Sequence, residues 1–195
     1  MTLTLVTPPA AEPLSRADAK AFLRLEHDDE DTLVDTLIAA ARLHVEAAIR
    51  RVLVSQTWRL TLDGWPPPSP GGRIVEMPLS PVISVDTVTV YDAEAVPAVL
   101  ADTAYVADLS SWPARILMRE GTAPVAPGAP IAGIEVVFTA GYGEASDVPA
   151  PIVQAIRLLV AHWYEIREPV AFGGPANPVP DTLAALLAPY RAVSL

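Results

Sequence analysis

The spacing of apolar residues between Thr32 and Leu53 predicts a long amphipathic helix. Apolar residues recur there at steps of four and three, which places them on one helix face: Val34, Ile38, Ala41, Val45, Ala48 and Val52. Leu33, Leu37 and Ile49 widen that face beyond the stripe of a simple surface helix. With a rise of about 1.5 Å per residue, the helix would span about 33 Å. We therefore expect a structural helix that packs against other parts of the protein on two of its sides.

Three shorter helices are predicted around it. Ser15 is a typical N-cap, with Asp18 three residues later, and a helix should continue to Leu23 or Leu25. Its inward residues would be Ala19, Phe22 and Leu23. Proline at a first helical position begins another helix over residues 149–167. The last helix should run over residues 181–190, with an apolar face that must pack on its own subunit or on another protein, because ten residues are marginal alone.

The apolar period changes from four to two after Ser55, which predicts strands. In the first strand, Trp58, Leu60 and Leu62 alternate with polar residues. Short turns rich in proline and glycine separate the candidate strands, so we expect antiparallel pairing in a sheet or a small barrel-like sandwich. The predicted strands cover residues 57–62, 73–77, 82–91, 96–100, 104–109, 114–119 and 131–139.

These elements predict an α+β fold with a mainly helical framework, made of the long second helix and the C-terminal helices, and an inserted antiparallel β-rich region. We divide the chain into an N-terminal arm (1–14), a central domain (15–167) and a C-terminal segment (168–195). Prolines interrupt the arm, which could also be a strand that pairs with a neighbour. The central domain contains helices over 15–53, the β-rich insert 55–140 and a helix over 149–167. The last segment would be a flexible linker followed by a docking helix.

Composition narrows the class of protein. The 195 residues carry a net charge of −10, which argues against wrapping a phosphate backbone, and no cysteine is present for disulfides or thiolate metal sites. No apolar run reaches the roughly 18 residues of a membrane span, and the N-terminus lacks the basic head of a secretion signal. We expect a soluble protein that is made and used in a cytoplasm and binds no cofactor.

The acidic segment Glu26–Asp31 has two interpretations. Carboxylates at a helix N-terminus complement the helix dipole, which is the simpler one. A cation site is the other, but a calcium loop needs alternating ligands, a central glycine and a distal glutamate, and this segment lacks that pattern. We therefore predict that the acidic residues begin the long helix.

Motifs for catalysis are almost absent. The sequence contains no phosphate-binding glycine loop, no dinucleotide fingerprint, no nucleophile elbow and no paired-histidine metal helix. His162, Tyr164 and Glu165 form the one suggestive cluster, but neighbouring residues on a helix point in different directions. A small hydrolase using a carboxylate or His162 is therefore the alternative function. A third possibility is that the segment Trp65–Pro70 is a proline-rich ligand, although strands on both sides favour a loop.

Two segments resemble a known family. The first runs from Ala21 to Asp31 and continues into Leu37–Glu46; the second runs from Val148 to Ile156 and through His162–Glu168. Together they resemble the head–tail connector, or adaptor, proteins of tailed bacteriophages and phage-derived gene transfer agents. The order of elements is similar as well: two N-terminal helices, a β-rich insert and a further helix.

The resemblance implies a structural protein rather than an enzyme. Such adaptors form a ring, usually of twelve subunits, beneath the portal in the neck of the particle, and isolated subunits can be monomeric before assembly. The ring extends the DNA channel, through which DNA passes without specific binding, and offers a docking surface for the stopper and tail. The residues expected to dock on the portal are those of the C-terminal helix: Asp181, Leu183, Leu186, Leu187, Tyr190 and Arg191.

A candidate subunit interface lies on the long helix. Arg42, Glu46 and Arg50 recur at four-residue steps on one side. They could be a solvated face or half of a contact between subunits. Under the ring hypothesis, we assign one face of the helix to the domain core and this side to the next subunit.

Overall fold

The computed structural model describes residues 1–68, 73–119, 126–166 and 181–192, and the chain forms two compact units. The β unit contains Met1–Pro9 and Ser55–Tyr142, and the helical unit contains Ala10–Val54 and Gly143–Val193. Each unit is therefore built from segments that are distant in sequence. The fold is a mixed α+β fold with antiparallel sheets, as the alternating patterns predict.

Eight strands in two antiparallel sheets form the β unit. They are β1 (Thr2–Thr7), β2 (Gln56–Leu62), β3 (Ile74–Glu76), β4 (Val82–Tyr91), β5 (Pro97–Val99), β6 (Tyr105–Asp108), β7 (Arg115–Met118) and β8 (Ile134–Ala140). The larger sheet has the order β1-β2-β8-β4-β5, and the smaller one has the order β3-β7-β6. The two ends of the larger sheet are thus β1 and β5.

Alternation along the central strands sets the core of the β unit. On β8, Ile134, Val136 and Phe138 are buried, while the residues between them are half-buried, as the period of two predicts. In register, Leu60 of β2 faces Val136, and Val88 of β4 faces it from the other side. Apolar residues on three adjacent strands therefore pack on one face of the sheet.

The helical unit begins with α1 (Arg16–Leu23) and α2 (Asp31–Ile49). The Ser15 hydroxyl accepts the Asp18 amide proton, which confirms the predicted N-cap. Ala19 is buried as predicted, but Phe22 is largely exposed, so its predicted inward position is wrong. Phe22 lies in the last turn of α1, which ends at Leu23, and its ring is only partly covered there.

The predicted end of the long helix at Leu53 is also wrong. The helix ends at Ile49, because Arg50 adopts a left-handed conformation (φ 56°) and its N–H donates to the Glu46 carbonyl. Val52 and Leu53 are buried all the same, in the extended chain that follows. Burial alone therefore does not distinguish the last helical turn from the segment after it.

Two helices complete the described part of the helical unit: α3 (Ala150–Glu165) and α4 (Asp181–Leu187), followed by a 3₁₀ turn at Ala188–Tyr190. α3 starts at Pro149-Ala150-Pro151, as predicted, and buries the apolar face that its spacing indicates: Ile152, Ala155, Ile156, Leu159 and Val160. α3 packs on α2, and α4 packs on α3. The predicted linker 168–180 lies outside the described residues.

Two expectations need correction. The fold is not clearly mainly helical, because helices account for 35% of the described residues and strands for 26%. Residues 2–7, expected to be an arm rather than a packed element, or a strand that pairs with a neighbour, form an edge strand that pairs with β2 of the same chain. Threonine and valine favour a strand there, and Pro8 and Pro9 end the strand without preventing it.

Candidate functional site

Arg42 is the centre of an ion cluster inside the helical unit. The residue is 7% exposed, its Nε donates to Glu12 Oε2 at 2.7 Å, and its Nη1 donates to Glu46 Oε2 at 2.9 Å. Glu12 precedes α1 and Glu46 lies one turn further along α2. A single guanidinium therefore ties the segment before α1 to the middle of α2.

Glu46 connects this cluster to the end of the helix. Its Oε1 accepts the Leu53 amide proton at 2.9 Å, while its Oε2 binds Arg42. Burial raises the pKa of the Glu46 carboxyl, and the Leu53 amide and the Arg42 charge oppose that rise. The carboxylate thus holds the chain that leaves α2 in place.

Arg50 differs from the other two predicted interface residues. It is exposed, and its backbone occupies the left-handed C-cap position of α2. Arg42 and Glu46, by contrast, are occupied by contacts within their own chain. Arg42 and Glu46 lie one turn apart on α2, whereas Arg50 follows its last helical residue. Of the three residues, Arg50 alone is exposed.

The C-terminal helix packs on its own chain. Leu183 is 5% exposed and Leu187 is 3% exposed, Leu186 and Tyr190 are half-buried, and Arg191 is exposed. The side chain of Asp181 lies outside the described part of the chain. The sequence predicts that the apolar face of this helix packs either on its own subunit or on another protein. The structure shows it packed on its own subunit.

Two hydrogen bonds fix the chain that follows α4. Arg51 Nε donates to the Tyr190 carbonyl at 2.8 Å, and the Ala192 amide donates to the Ile49 carbonyl at 2.9 Å. Both partners lie at the end of α2. The chain at Tyr190–Ala192 therefore lies next to the end of α2, where Arg50 is exposed.

Cations from α1 neutralise the acidic segment. Arg16 Nε donates to Asp35 Oδ1 at 2.7 Å and its Nη1 donates to Asp31 at 2.9 Å, while Lys20 Nζ donates to Asp31 at 2.7 Å and to Asp28. The Lys20 hydrogen bond lowers the pKa of Asp31, and bonds to Asp28 and Asp31 raise the pKa of Lys20. Asp31 starts α2, as expected, and the cluster also holds α1 against α2.

Nothing in the described ranges forms a metal site or a membrane span. No group of three or more histidine, aspartate and glutamate side chains there is arranged to hold a metal ion. No helix among the described residues is both long and apolar enough to cross a membrane. Asp28 and Asp31 of the acidic segment form ion pairs with Lys20, and Asp31 also pairs with Arg16.

The proposed catalytic residues do not converge. His162 is half-buried, Glu165 is exposed, and the Tyr164 hydroxyl donates to Glu30 at the start of α2. His44 of α2 packs edge-on against Trp163, with ring centroids 5.7 Å apart. These aromatic and histidine side chains join α2 to α3, so their geometry is that of a helix–helix contact.

The proline-rich loop borders a cleft of the β unit. The cleft has a volume of about 390 Å³ and is lined by Met1, Leu62, Pro66, Pro67, Ile74, Val75 and Glu76. Trp65 and Pro66 are half-buried, while Pro67 and Pro68 are exposed. Ser69 and Pro70 of the proposed ligand lie outside the described residues. Half of the described loop is packed, which suits a connection between β2 and β3.

Three solved structures that resemble this chain come from gene transfer agent particles. The neck of an empty gene transfer agent particle, computed with C6 symmetry, contains a chain 28% identical to this one, with a TM-score of 0.79. A chain 27% identical, with a TM-score of 0.78, occurs in the virion of a native gene transfer agent particle. Another, 27% identical with a TM-score of 0.74, occurs in the neck of a native particle computed with C12 symmetry. Each match covers 100% of this chain and 97% of the other.

Those matches support the expectation of a phage-like neck protein. No family model and no curated protein matches the sequence. The structural likeness extends over both the β unit and the helical unit, whereas the two segments that resemble adaptors cover only parts of the helices. The β-rich insert is therefore part of the similarity as well.

Sequence reasoning missed Glu12 and the two cations of α1. Glu12 stands 30 positions from Arg42 with no periodic relation to it. Arg16 and Lys20 do carry a signal, since their four-residue spacing places two cations on one side of α1, ahead of an acidic segment. Pairing between these two charged segments could have been predicted.

Proposed function

We propose that this chain is a head–tail connector, or adaptor, of a phage-like particle. It forms a ring beneath the portal, extends the DNA channel and offers a docking surface to the stopper and tail. The observation that carries the proposal is the whole-length similarity to chains from gene transfer agent necks, at 27–28% identity. That likeness includes both the β unit and the helical unit.

The ring would be built from copies of this chain, with twelve as the expected number. The C12 and C6 symmetry of the similar neck structures supports a cyclic assembly. A cyclic ring needs heterologous contacts, in which two different surfaces of the subunit meet. The net charge of −10 suits a wall along which DNA slides, because like charges prevent adhesion.

The surfaces of the helical unit suit two of the expected contacts. Arg50 is the exposed charge that remains on the predicted interface side of α2, with the Arg42 and Glu46 pair bracing the helix behind it. Arg191 and Tyr190 lie near the same helix end. We assign this end to contacts with the portal or the next subunit. The buried side chains of Leu183 and Leu187 hold α4 on its own subunit.

Electron microscopy of purified particles tests the proposal. Cells that produce the particles would express the chain with an added small tag, and the tag would be located with a bound antibody fragment. We expect a ring of the tagged protein at the portal vertex. Particles with complete necks that lack the chain would refute the proposal, as would tagged protein found elsewhere in the particle.

A further inference from the structure

The two ends of the larger sheet share an unusual composition. β1 has the sequence Thr-Leu-Thr-Leu-Val-Thr, and no Asp, Glu, Lys or Arg precedes Glu12. Leu5 is 42% exposed and Val6 is 45% exposed. At the opposite end, β5 (Pro97–Val99) is exposed throughout, and its neighbour Val96 is exposed as well. Both ends of one sheet therefore present apolar, uncharged strands to solvent.

Edges of this kind are normally protected in soluble proteins. Charged residues, prolines or very short strands prevent pairing with another chain. The smaller sheet follows this rule with charges, because β3 ends at Glu76 and β6 ends at Asp108, which is paired with Arg115. β5 has no charge, and its protection is limited to its length of three residues and to Pro97. β1 has neither a charged residue nor a proline over its six residues, although its register with β2 shifts between Leu5 and Thr7. In the described part of the chain it pairs on one side, with β2.

The hydrogen bonds of β5 show which of its groups face outward. The Leu100 amide donates to the Val88 carbonyl at 2.8 Å, and the Asp92 amide donates to the Val96 carbonyl at 3.2 Å. In an antiparallel ladder the bonding residues alternate, so Pro97 and Val99 point their backbone groups away from β4. Val99 thus offers one donor and one acceptor, and Pro97 offers an acceptor alone.

We propose that the outer edge of β1 pairs with the outer edge of β5 of a second copy of this chain. This inference rests on the proposed ring. Edge pairing of this kind is heterologous and directional, since opposite ends of the same sheet meet, and it can repeat around a closed ring. Leu5 and Val6 would bury apolar surface against Val96 and Val99 of the next copy.

Charge favours these edges over other surfaces as the place where copies meet. Each copy carries a net charge of −10, so neighbouring copies repel one another wherever acidic surfaces approach. β1 and β5 contain no charged side chain. Pro97 restricts the pairing further, because a partner strand finds a donor at Val99 but none at Pro97.

Engineered cysteines give a direct test, because the natural chain has none. In the full chain, Leu5→Cys combined with Val99→Cys would be treated with a short bis-maleimide within assembled particles. We expect a ladder of covalent oligomers from the double variant and monomers from either single variant. Wild-type-like rings without a ladder would overturn the edge pairing while leaving the ring intact. Absence of any ring of the unmodified chain would overturn both.

Charged substitutions provide a second measurement. Leu5→Lys with Val6→Lys, and separately Val96→Lys with Val99→Lys, should each reduce incorporation of the chain into particles by about tenfold. Val106→Lys on β6 is the matched control, since Val106 is also an exposed apolar strand residue. The thermal unfolding midpoint of each free variant would report on folding. Unchanged incorporation of both folded double variants would refute the proposal.

Discussion

Arg42 donates to Glu12 at 2.7 Å across 30 positions of sequence, and this ion pair attaches the segment before α1 to the long helix. With Glu46 on its other side, the guanidinium is almost fully enclosed. Arg42, which its spacing on α2 makes a candidate for a subunit contact, therefore has a role within the subunit. The cluster holds α2 and its flanking chain in one arrangement.

Replacement of Arg42 should destabilise the folded chain. Arg42→Ala removes one partner of a buried ion cluster and leaves Glu12 and Glu46 without compensation, so we expect a loss of about 3 kcal/mol in the free energy of unfolding. Urea denaturation measures it. Arg50→Ala is the control, because an exposed residue should change stability by less than about 0.5 kcal/mol. Equal effects of the two changes would contradict the assignment.

Glu46 gives stability a specific pH dependence. Burial raises its pKa above the ordinary value of 4.5, so the folded state binds this proton more tightly than the unfolded state does. Its contribution is complete below pH 4.5 and is lost as the pH rises through the raised value. Glu46→Gln, which keeps an acceptor for the Leu53 amide, should remove that part of the pH dependence. Parallel stability curves for both proteins would contradict this account.

Arg50 allows stability and assembly to be separated. A left-handed residue other than glycine is strained, so Arg50→Gly should stabilise the fold by about 0.5–1 kcal/mol. If Arg50 also contacts a neighbouring subunit or the portal, the same variant should enter particles less well. Arg24→Gly is the matched control, since Arg24 holds the equivalent position at the end of α1. Normal incorporation of a stabilised Arg50→Gly variant would remove Arg50 from the interface.

The docking of α4 should depend on its buried leucines. Leu187→Ala deletes a side chain that is almost completely buried, and we expect a loss of about 2–5 kcal/mol in the free energy that holds α4 in place. Faster amide hydrogen exchange within α4 would report the loss. Thr182→Ala, at an exposed position of the same helix, should leave exchange unchanged. Slow exchange in the Leu187 variant would mean that packing on α3 is not what holds the helix.

Local signals in the sequence predicted local structure. The Ser15 cap, the proline start of α3 and the alternation of β8 all appear where the pattern places them, because each depends on residues a few positions apart. Contacts between distant segments were not predictable. The apolar face of α4 is evident in the sequence, but its partner α3 is not, and nothing near Glu12 points to Arg42.

The location of the chain within a particle tests the central claim most directly. Electron microscopy of purified particles, with the chain marked by an antibody fragment, should show a closed ring at the neck with the C12 symmetry of the similar structure. Each subunit density should contain both the β unit and the helical unit. Complete particles without this ring would contradict the proposed role as a head–tail connector.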